Sequence, residues 1–312
     1  MKLALGTVQF GLDYGISNSQ GKIALAEINN ILTSAKSHGI TTLDTATAYG
    51  DSETILGQLQ AEENFALVTK IPSLASLPLS SELLTSPSLA LQSKCTQAIS
   101  IDDIVEGSLS RLKTKQLKGL MFHSADDLLG SLGHQHFTDA KALKAQKKIK
   151  QLGVSVYSPK QLTDILASYK IDIVQFPLSC LDQRFIQPSL QQRLLSNGIE
   201  VHVRSLFLQG LILMPVDDLS QYFQPYKHIL MRFKSLCDRL NCQPLTLALS
   251  IIHANPFIDK AVIGCCSVRQ LDQIVEHYHL AKQLDVEHKE LVAELAYNDE
   301  ALINPSNWPI QG

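Results

Sequence analysis

The chain has 312 residues, of which 45% are hydrophobic and 18% are charged, and its 27 basic and 30 acidic side chains leave a net charge of −3. This is the composition of an ordinary globular protein, and the nearly balanced charge predicts neither a nucleic-acid partner nor a membrane partner. No apolar run reaches the roughly 18 residues of a membrane-spanning helix. The six cysteines form no CxxC pair or Cys/His metal framework. We therefore expect a cytoplasmic protein with reduced thiols and no metal site.

Short apolar segments alternate along the chain with longer amphipathic ones. Several of the short segments are almost continuously apolar, which is typical of parallel strands that are buried on both faces. On this basis we predict eight strands, at Leu3–Gly6, Thr41–Ala46, Ala66–Lys70, Gly119–His123, Gly153–Val156, Ile173–Gln175, Val201–Arg204 and Ala261–Gly264.

Helical patterns lie between most of these strands. They combine apolar residues at helical spacing with start signals such as Ser52, Pro159 and Pro188. The predicted helices are Ala26–Ser37, Ser52–Leu59, Ile101–Leu112, Asp139–Leu152, Pro159–Ser168, Pro188–Ser196 and Leu245–His253, with Asp285–Ala296 as an extra C-terminal helix.

Eight alternations of strand and helix predict one (β/α)8 TIM-barrel domain over residues 1–312. A doubly wound open sheet is the rival architecture, but no G-x-G-x-x-G motif follows the first strand. Two segments, Ser73–Thr96 and Leu213–Pro225, interrupt the alternation. Both follow strands, so we expect them on the catalytic face of the barrel.

Polar residues end three consecutive strands. Asp44, Lys70 and His123 each close an otherwise apolar run, and Tyr49 follows Asp44 after a short turn. Taken singly, such residues are more often capping, solvated or hydrogen-bonded core groups than catalysts. Because closure of a barrel brings the C-terminal ends of its strands together, their joint occurrence predicts an active site.

The segment Asp44–Glu53, followed by Leu56-Gly57, resembles the signature of the aldo-keto reductase family. The resemblance covers about residues 3–280, and further matches follow in the family's order at Leu5–Thr7, Gln9–Gly11, Thr69-Lys70, Phe122–Ser124, Gly153–Ser155 and Val262–Gly264. It implies a barrel that reduces a small carbonyl substrate with NADPH, or with NADH, through a tetrad of Asp44, Tyr49, Lys70 and His123. The β-hairpin that closes the barrel floor in many members has no counterpart before Leu3.

The chemistry of carbonyl reduction fits these four residue types. A cofactor must supply the hydride, because no side chain can give one, and Tyr49 would supply the proton as general acid. We expect the ammonium group of Lys70 to lower the pKa of Tyr49, and Asp44 to pair with that buried lysine. His123 would donate a hydrogen bond to the carbonyl oxygen as a neutral imidazole.

The resemblance also implies a set of cofactor-binding residues. Ser155 and Gln175 match the residues that hold the nicotinamide carboxamide, although Val156 replaces the usual asparagine. Arg204 and Ser205 stand where many members have an aromatic residue that stacks on nicotinamide. The turn after the last strand matches the family's phosphate-binding turn and contributes Gly264, Cys265, Ser267, Arg269, Gln270 and Gln273. Arg269 would favour NADPH over NADH by attracting its extra phosphate.

Three functions compete at this point. The first is reduction of an aldehyde, ketone or sugar-like carbonyl. The second is a nucleotide-binding regulatory barrel with negligible turnover, which the altered cofactor residues favour. The third is a lyase in which Lys70 forms a Schiff base with substrate.

Overall fold

The computed structural model describes residues 1–16, 21–76, 100–284 and 286–309. Eight parallel strands close into a barrel in chain order, with β8 pairing back to β1, so the predicted TIM barrel is confirmed. The strands are β1 Leu3–Gly6, β2 Thr42–Asp44, β3 Ala66–Ile71, β4 Leu117–Phe122, β5 Ile149–Ser155, β6 Ile173–Pro177, β7 Glu200–Arg204 and β8 Lys260–Ile263.

Helices surround this barrel. In the described part of the chain they are α1 Val8–Gly11, α2 Leu25–Ser37, α3 Ser52–Gln58, α4 Ile101–Leu112, α5 Asp126–Leu129, α6 Gly133–Ala145, α7 Pro159–Ser168, α8 Pro188–Ser196, α9 Lys227–Arg239, α10 Pro244–Ala254, α11 Val268–Ala281, α12 Val286–Ala293 and α13 Glu300–Ile303. Short 3-10 turns occupy much of the predicted loop Leu213–Pro225. The predicted loop Ser73–Thr96 lies outside the described residues beyond position 76. None of the described helices is long and apolar enough to cross a membrane.

One predicted helix and one predicted helix cap are wrong. The helix expected at Asp139–Leu152 ends at Ala145, and Ile149–Leu152 belong instead to β5, where Ile149 pairs with Leu117. Lys147 adopts a left-handed φ of 60°, which ends the helix and turns the chain into the strand. Ser52 does not cap α3 but lies inside it as a fully buried residue, and Asp51 holds the N-cap position.

The main core lies between the barrel wall and the helices. Helix α2 contributes Ile28, Ile31, Leu32 and Ala35, the apolar face that its sequence predicts. Burial of each isoleucine or leucine side chain stabilises the fold by about 1.5–3 kcal/mol before the cost of chain entropy.

A separate apolar cluster holds the C-terminal segment against α9 and α10. Trp308 packs edge-on against Phe223 with 4.8 Å between ring centroids. Its indole N–H donates to the carbonyl oxygen of Leu302 at 3.1 Å. This packing brings Ser306 to the C-terminal end of the barrel, where it lines a cavity.

A polar network occupies the opposite, N-terminal end of the barrel. The carboxylate of Glu200 accepts hydrogen bonds from Lys118 Nζ at 2.8 Å and Gln151 Nε2 at 2.7 Å, and it also contacts Nε2 of the buried His202 at 3.0 Å. Strands β4 and β5 are not neighbours of β7, so these contacts tie together strands that share no backbone ladder.

Candidate active site

The ion pair of Lys70 and Asp44 forms the floor of the site. Both side chains are buried, and Lys70 Nζ lies 2.5 Å from Asp44 Oδ1. The ammonium group also donates to the carbonyl oxygen of Thr45 at 3.0 Å. Asp44 ends β2 and Lys70 lies near the end of the adjacent β3, so the parallel register alone places the two groups at the same end of the barrel.

Tyr49 and His123 stand beside this pair. Lys70 Nζ lies 5.3 Å from the centroid of the Tyr49 ring. The rings of Tyr49 and His123 meet edge to face, with centroids 5.9 Å apart. His123 follows β4 directly and donates its backbone N–H to Ile71 at 3.0 Å. The structure thus brings together the four residues that the sequence singled out.

The loop that carries Tyr49 is fixed by close contact with the segment after β1. The hydroxyl of Ser52 donates to the carbonyl oxygen of Thr7 at 3.0 Å. Gly11 lies so close to the loop that a Cβ atom there would be 1.8 Å from the carbonyl oxygen of Tyr49. Gly50 has a φ of 54°, a left-handed conformation that suits glycine. The glycines of the sequence motif therefore position the tyrosine by permitting close packing.

Burial and charge set the protonation of these groups. Burial raises the pKa of Tyr49, and the Lys70 ammonium opposes this rise without overcoming it. The expected lowering by Lys70 is thus present, but the net shift of the pKa is upward. Burial disfavours charge on Lys70 as well, yet its neighbours Asp44 and Tyr49 raise its pKa overall. Burial, together with the charges of Lys70 and Arg204, lowers the pKa of His123 to about 4, so the imidazole is neutral at pH 7.

A cavity of about 630 Å³ opens beside Tyr49 and His123 and extends to the start of α11. Its volume lies within the range of small-molecule and cofactor sites. Among the residues predicted to bind cofactor, those that line it are Gln175, Arg204, Ser205, Gly264, Cys265, Gln270 and Gln273. Ser155, Ser267 and Arg269 are not among its lining residues.

Two side chains are predicted to hold the nicotinamide. One has a hydroxyl without a hydrogen-bond partner, and the other already donates a hydrogen bond within the protein. The buried hydroxyl of Ser155 has no hydrogen-bond partner, and such a group needs one. In contrast, the amide nitrogen of Gln175 donates to Asp44 Oδ2 at 2.8 Å. The free hydroxyl of Ser155 suits a carboxamide group, whereas Gln175 holds Asp44 in place.

The other end of the cavity reaches the first turn of α11. Ser267 caps this helix, and the Cys266 N–H donates to Gln270 Oε1 at 2.7 Å. The carboxylate of Glu27, on α2, accepts the N–H of Val268 at 2.8 Å. A negative charge therefore already occupies part of the helix terminus, while Arg269 is exposed. Sequence reasoning missed Glu27, because no local pattern relates it to a turn 241 residues away.

Arg204 is fixed in the cavity wall by an aromatic ring that sequence reasoning also missed. Its guanidinium carbon lies 4.2 Å from the centroid of the Tyr157 ring. The backbone bends sharply after it, since Ser205 has a φ of 65° in the left-handed region, where residues other than glycine are uncommon. Tyr14 lines the same cavity and accepts a hydrogen bond from Gln209 at 3.1 Å.

Within the described residues, no cluster of three or more His, Cys, Asp or Glu side chains is suited to hold a metal ion.

Comparisons with known proteins give one family and one fold. The profile of the Aldo/keto reductase family matches residues 2–296. The holo form of an aldo-keto reductase from Bacillus halodurans is 19% identical, with a TM-score of 0.72 over 96% of this chain and 94% of that chain. A protein classed as an aldo-keto reductase from Pseudomonas aeruginosa is 20% identical, with a TM-score of 0.60 over 90% of each chain. At these identities the solved structures show a shared fold. A search of the curated proteins gives no match.

Proposed function

Because this chain belongs to the aldo/keto reductase family, we propose that it reduces an aldehyde, a ketone or a sugar-like carbonyl to an alcohol, with NADPH as reductant and Tyr49 as general acid. The family makes it an NAD(P)H-dependent oxidoreductase. The observation that carries the proposed mechanism is the buried chain from Asp44 through Lys70 to Tyr49, which ends beside His123 at a cavity.

The cofactor supplies the hydride when it is bound. The Tyr49 hydroxyl donates a hydrogen bond to the carbonyl oxygen and passes its proton to that oxygen as the alcohol forms. A raised pKa keeps Tyr49 protonated at neutral pH, so the acid form is the one present when substrate arrives. General acid catalysis of this kind contributes about 10²- to 10⁴-fold to the rate.

Lys70 lowers the free-energy cost of losing that proton. Its ammonium group, 5.3 Å from the ring centroid of Tyr49, stabilises the tyrosinate that remains after proton transfer. The charge on Lys70 is maintained in a buried position by the Asp44 carboxylate. Gln175 donates to the second oxygen of that carboxylate and so keeps it oriented towards Lys70.

His123 orients the substrate. With a pKa of about 4 it is neutral at pH 7, so it donates one N–H to the carbonyl oxygen without competing with Tyr49 as an acid. Two donors that converge on one oxygen stabilise the negative charge that develops there as the hydride arrives.

The state of Lys70 argues against a Schiff-base lyase. A lysine nucleophile must be deprotonated, whereas Lys70 has a raised pKa and is engaged by both Asp44 and Thr45. The carbonyl reductase is therefore the function that the geometry supports best.

Binding of the cofactor would use groups in the cavity wall and groups just outside it. The free hydroxyl of Ser155 suits the carboxamide of nicotinamide, and the turn before α11 suits the phosphates. Arg269 supplies the positive charge for the extra phosphate of NADPH, while the carboxylate of Glu27 opposes it. We therefore propose a preference for NADPH that is small.

The Tyr49→Phe variant tests the function. We expect it to lose at least 100-fold in carbonyl reduction, within the range for a general acid, because the ring remains and the proton donor does not. Reductase activity is followed as loss of NADPH or NADH absorbance with a panel of aldehydes, ketones and sugars. Tyr14→Phe is the matched control, since Tyr14 lines the same cavity and the substitution removes the same hydroxyl group. A Tyr49→Phe enzyme that keeps more than a tenth of wild-type turnover would refute the assignment.

A further inference from the structure

Arg204 carries a positive charge into the cavity, and no carboxylate of the described residues neutralises it. It ends β7, at the same end of the barrel as Asp44 and His123. Its Nη1 atom makes a long contact of 3.4 Å with the hydroxyl of Ser205. Its Nη2 atom is buried and has no hydrogen-bond partner. One end of the guanidinium fork thus lacks an acceptor.

Three other partly or fully buried cations in the described chain are each paired with a carboxylate. Arg111 Nη2 lies 2.7 Å from Glu53, Arg184 contacts Asp182 at 2.8 Å, and Lys70 contacts Asp44. This pairing is what electrostatics requires, because an isolated buried charge is costly. Arg204 has no carboxylate partner among the described residues, and it lies in the cavity that holds the proposed catalytic groups.

The described lining of the cavity offers no free carboxylate for Arg204. Of its described lining residues, Asp44 alone bears a carboxylate, and both of its oxygens are engaged by Lys70 and Gln175. His123 is neutral at pH 7. The cavity wall therefore presents one uncompensated positive charge.

The guanidinium is also held ready for a ligand. The Tyr157 ring lies 4.2 Å from its central carbon, and the Tyr157 hydroxyl is hydrogen-bonded to both Ser306 and Arg204. A stacked guanidinium loses little further freedom when it binds an anion, and its planar donors match the two oxygens of a carboxylate or phosphate.

From the unpaired guanidinium in the catalytic cavity, we propose that Arg204 binds an anionic group, a carboxylate or a phosphate, on the carbonyl substrate. This inference rests on the proposed function and narrows its substrates to negatively charged aldehydes and ketones. Arg204 acts electrostatically on both Tyr49 and His123, so the anion that it binds lies near the groups that hold the carbonyl. The phosphates of the cofactor share the same chemistry, and the experiment separates the two sources.

The test compares pairs of substrates that differ in charge. Succinate semialdehyde is compared with butanal, and phosphorylated glyceraldehyde with glyceraldehyde. In the wild-type enzyme at least one charged member is expected to have the higher kcat/KM, through a lower KM. In Arg204→Gln that preference falls roughly 10- to 150-fold, the range for a charge-assisted hydrogen bond. Arg204→Lys keeps part of it, and Arg239→Gln, an exposed arginine that does not line the cavity, keeps all of it.

Binding without turnover provides a second readout. Succinate and inorganic phosphate are titrated by calorimetry into the wild-type protein and Arg204→Gln, with succinamide as the uncharged control. We expect at least one of the two anions to bind the wild type more tightly than the variant and more weakly as salt is added. Thermal unfolding of each variant checks that it is folded.

Three outcomes would overturn the inference. Equal kcat/KM within both pairs in the wild type would show that the enzyme does not select charge. Unaltered preference in a folded Arg204→Gln protein would show that another group selects it. A variant that binds NADPH and NADH at least 10-fold more weakly, with charged and neutral substrates equally affected, would assign Arg204 to the cofactor. In all three cases neutral carbonyls would still be reduced in a Tyr49-dependent way, so the proposed function would stand.

Discussion

Lys70 occupies a position where charge is both costly and useful. Only 1% of its surface is exposed, and the Asp44 carboxylate compensates for the lost hydration. The positive charge of Lys70 acts on Tyr49. It keeps the pKa of Tyr49 below the value that burial alone would give. The pair therefore acts on the proton of a third residue.

Replacing Lys70 with methionine should expose this dependence. The variant is expected to lose activity, and the alkaline limb of its residual pH–rate profile should move to higher pH. The sign follows because removal of the cation raises the pKa of Tyr49 still further, so the acid stays protonated to higher pH. The profile of kcat/KM is measured in wild type and Lys70→Met; an unshifted alkaline limb at good activity would mean that Lys70 does not influence the acid.

Glu27 and Arg269 should act in opposite directions on the choice of cofactor. Glu27→Gln removes a negative charge at the start of α11, so it should strengthen NADPH binding relative to NADH. Arg269→Ala should weaken NADPH binding by up to 10-fold, since Arg269 is exposed and its charge is screened. Titration of both cofactors, followed by nicotinamide fluorescence, gives the two ratios. Parallel changes for NADPH and NADH would remove both residues from the recognition of the extra phosphate.

The position of the loop between β2 and α3 depends on the preceding helix α1. Gly11 ends α1 and touches the backbone of Tyr49 and Ser52. Any side chain at this position must displace one of the two segments. The position of Tyr49 is thus determined partly by a residue 38 positions earlier in the sequence.

Gly11→Ala should consequently reduce catalysis more than it reduces stability. A methyl group 1.8 Å from the carbonyl oxygen of Tyr49 cannot be accommodated without shifting the loop. A displacement of about 1 Å at the reacting groups can cost 10²-fold in rate. Gly107→Ala in α4 is the control, because its new methyl would meet the flexible end of Arg111. Steady-state kinetics and thermal unfolding of both variants are compared, and a Gly11→Ala enzyme with wild-type kcat would contradict this account of the loop.

Local sequence signals predicted some elements well and others poorly. Helix α4 was predicted at Ile101–Leu112 and forms there, where Ser100 and Asp103 make a complete capping box. The boundary between α6 and β5 was wrong because a left-handed lysine marks it, and lysine carries no sequence signal for that conformation. The stacking of Arg204 on Tyr157 and the contact of Glu27 with Val268 arise from tertiary packing, which periodicity does not encode. The strand ends were predictable because the barrel topology itself brings them together.

The cavity and the stabilising polar network lie at opposite ends of the barrel axis. The cavity and its tyrosines lie at the C-terminal ends of the strands, and the network around Glu200 lies at the N-terminal ends. Hydrogen bonds from His202, Lys118 and Gln151 hold the pKa of Glu200 well below its ordinary value of 4.5, although burial opposes them. Its charged form is therefore favoured by folding.

Glu200→Gln should destabilise the protein at neutral pH while leaving the cavity intact. We expect a loss of about 1–2 kcal/mol, since the group is partly solvated. A lowered pKa gives stability that is complete above the ordinary value and is lost as the pH falls towards the folded value. The difference between wild type and variant should thus narrow below pH 4.5. Urea unfolding at pH 7 and pH 3.5 measures the difference in the free energy of unfolding, with the exposed Glu290→Gln as control. The same difference at both pH values would exclude a link between the Glu200 charge and stability.

The packing of Trp308 has an optical consequence. It is the single tryptophan of the chain, its ring lies against Phe223, and two residues before it Ser306 lines the cavity. All indole emission therefore originates from the C-terminal segment that borders the site. A reduced nicotinamide absorbs in the region where tryptophan emits, so energy transfer from this one ring would signal an occupied cavity, and a red shift would signal release of the segment into water. The native chain thus carries its own fluorescent reporter, with no label to attach and no second tryptophan to subtract.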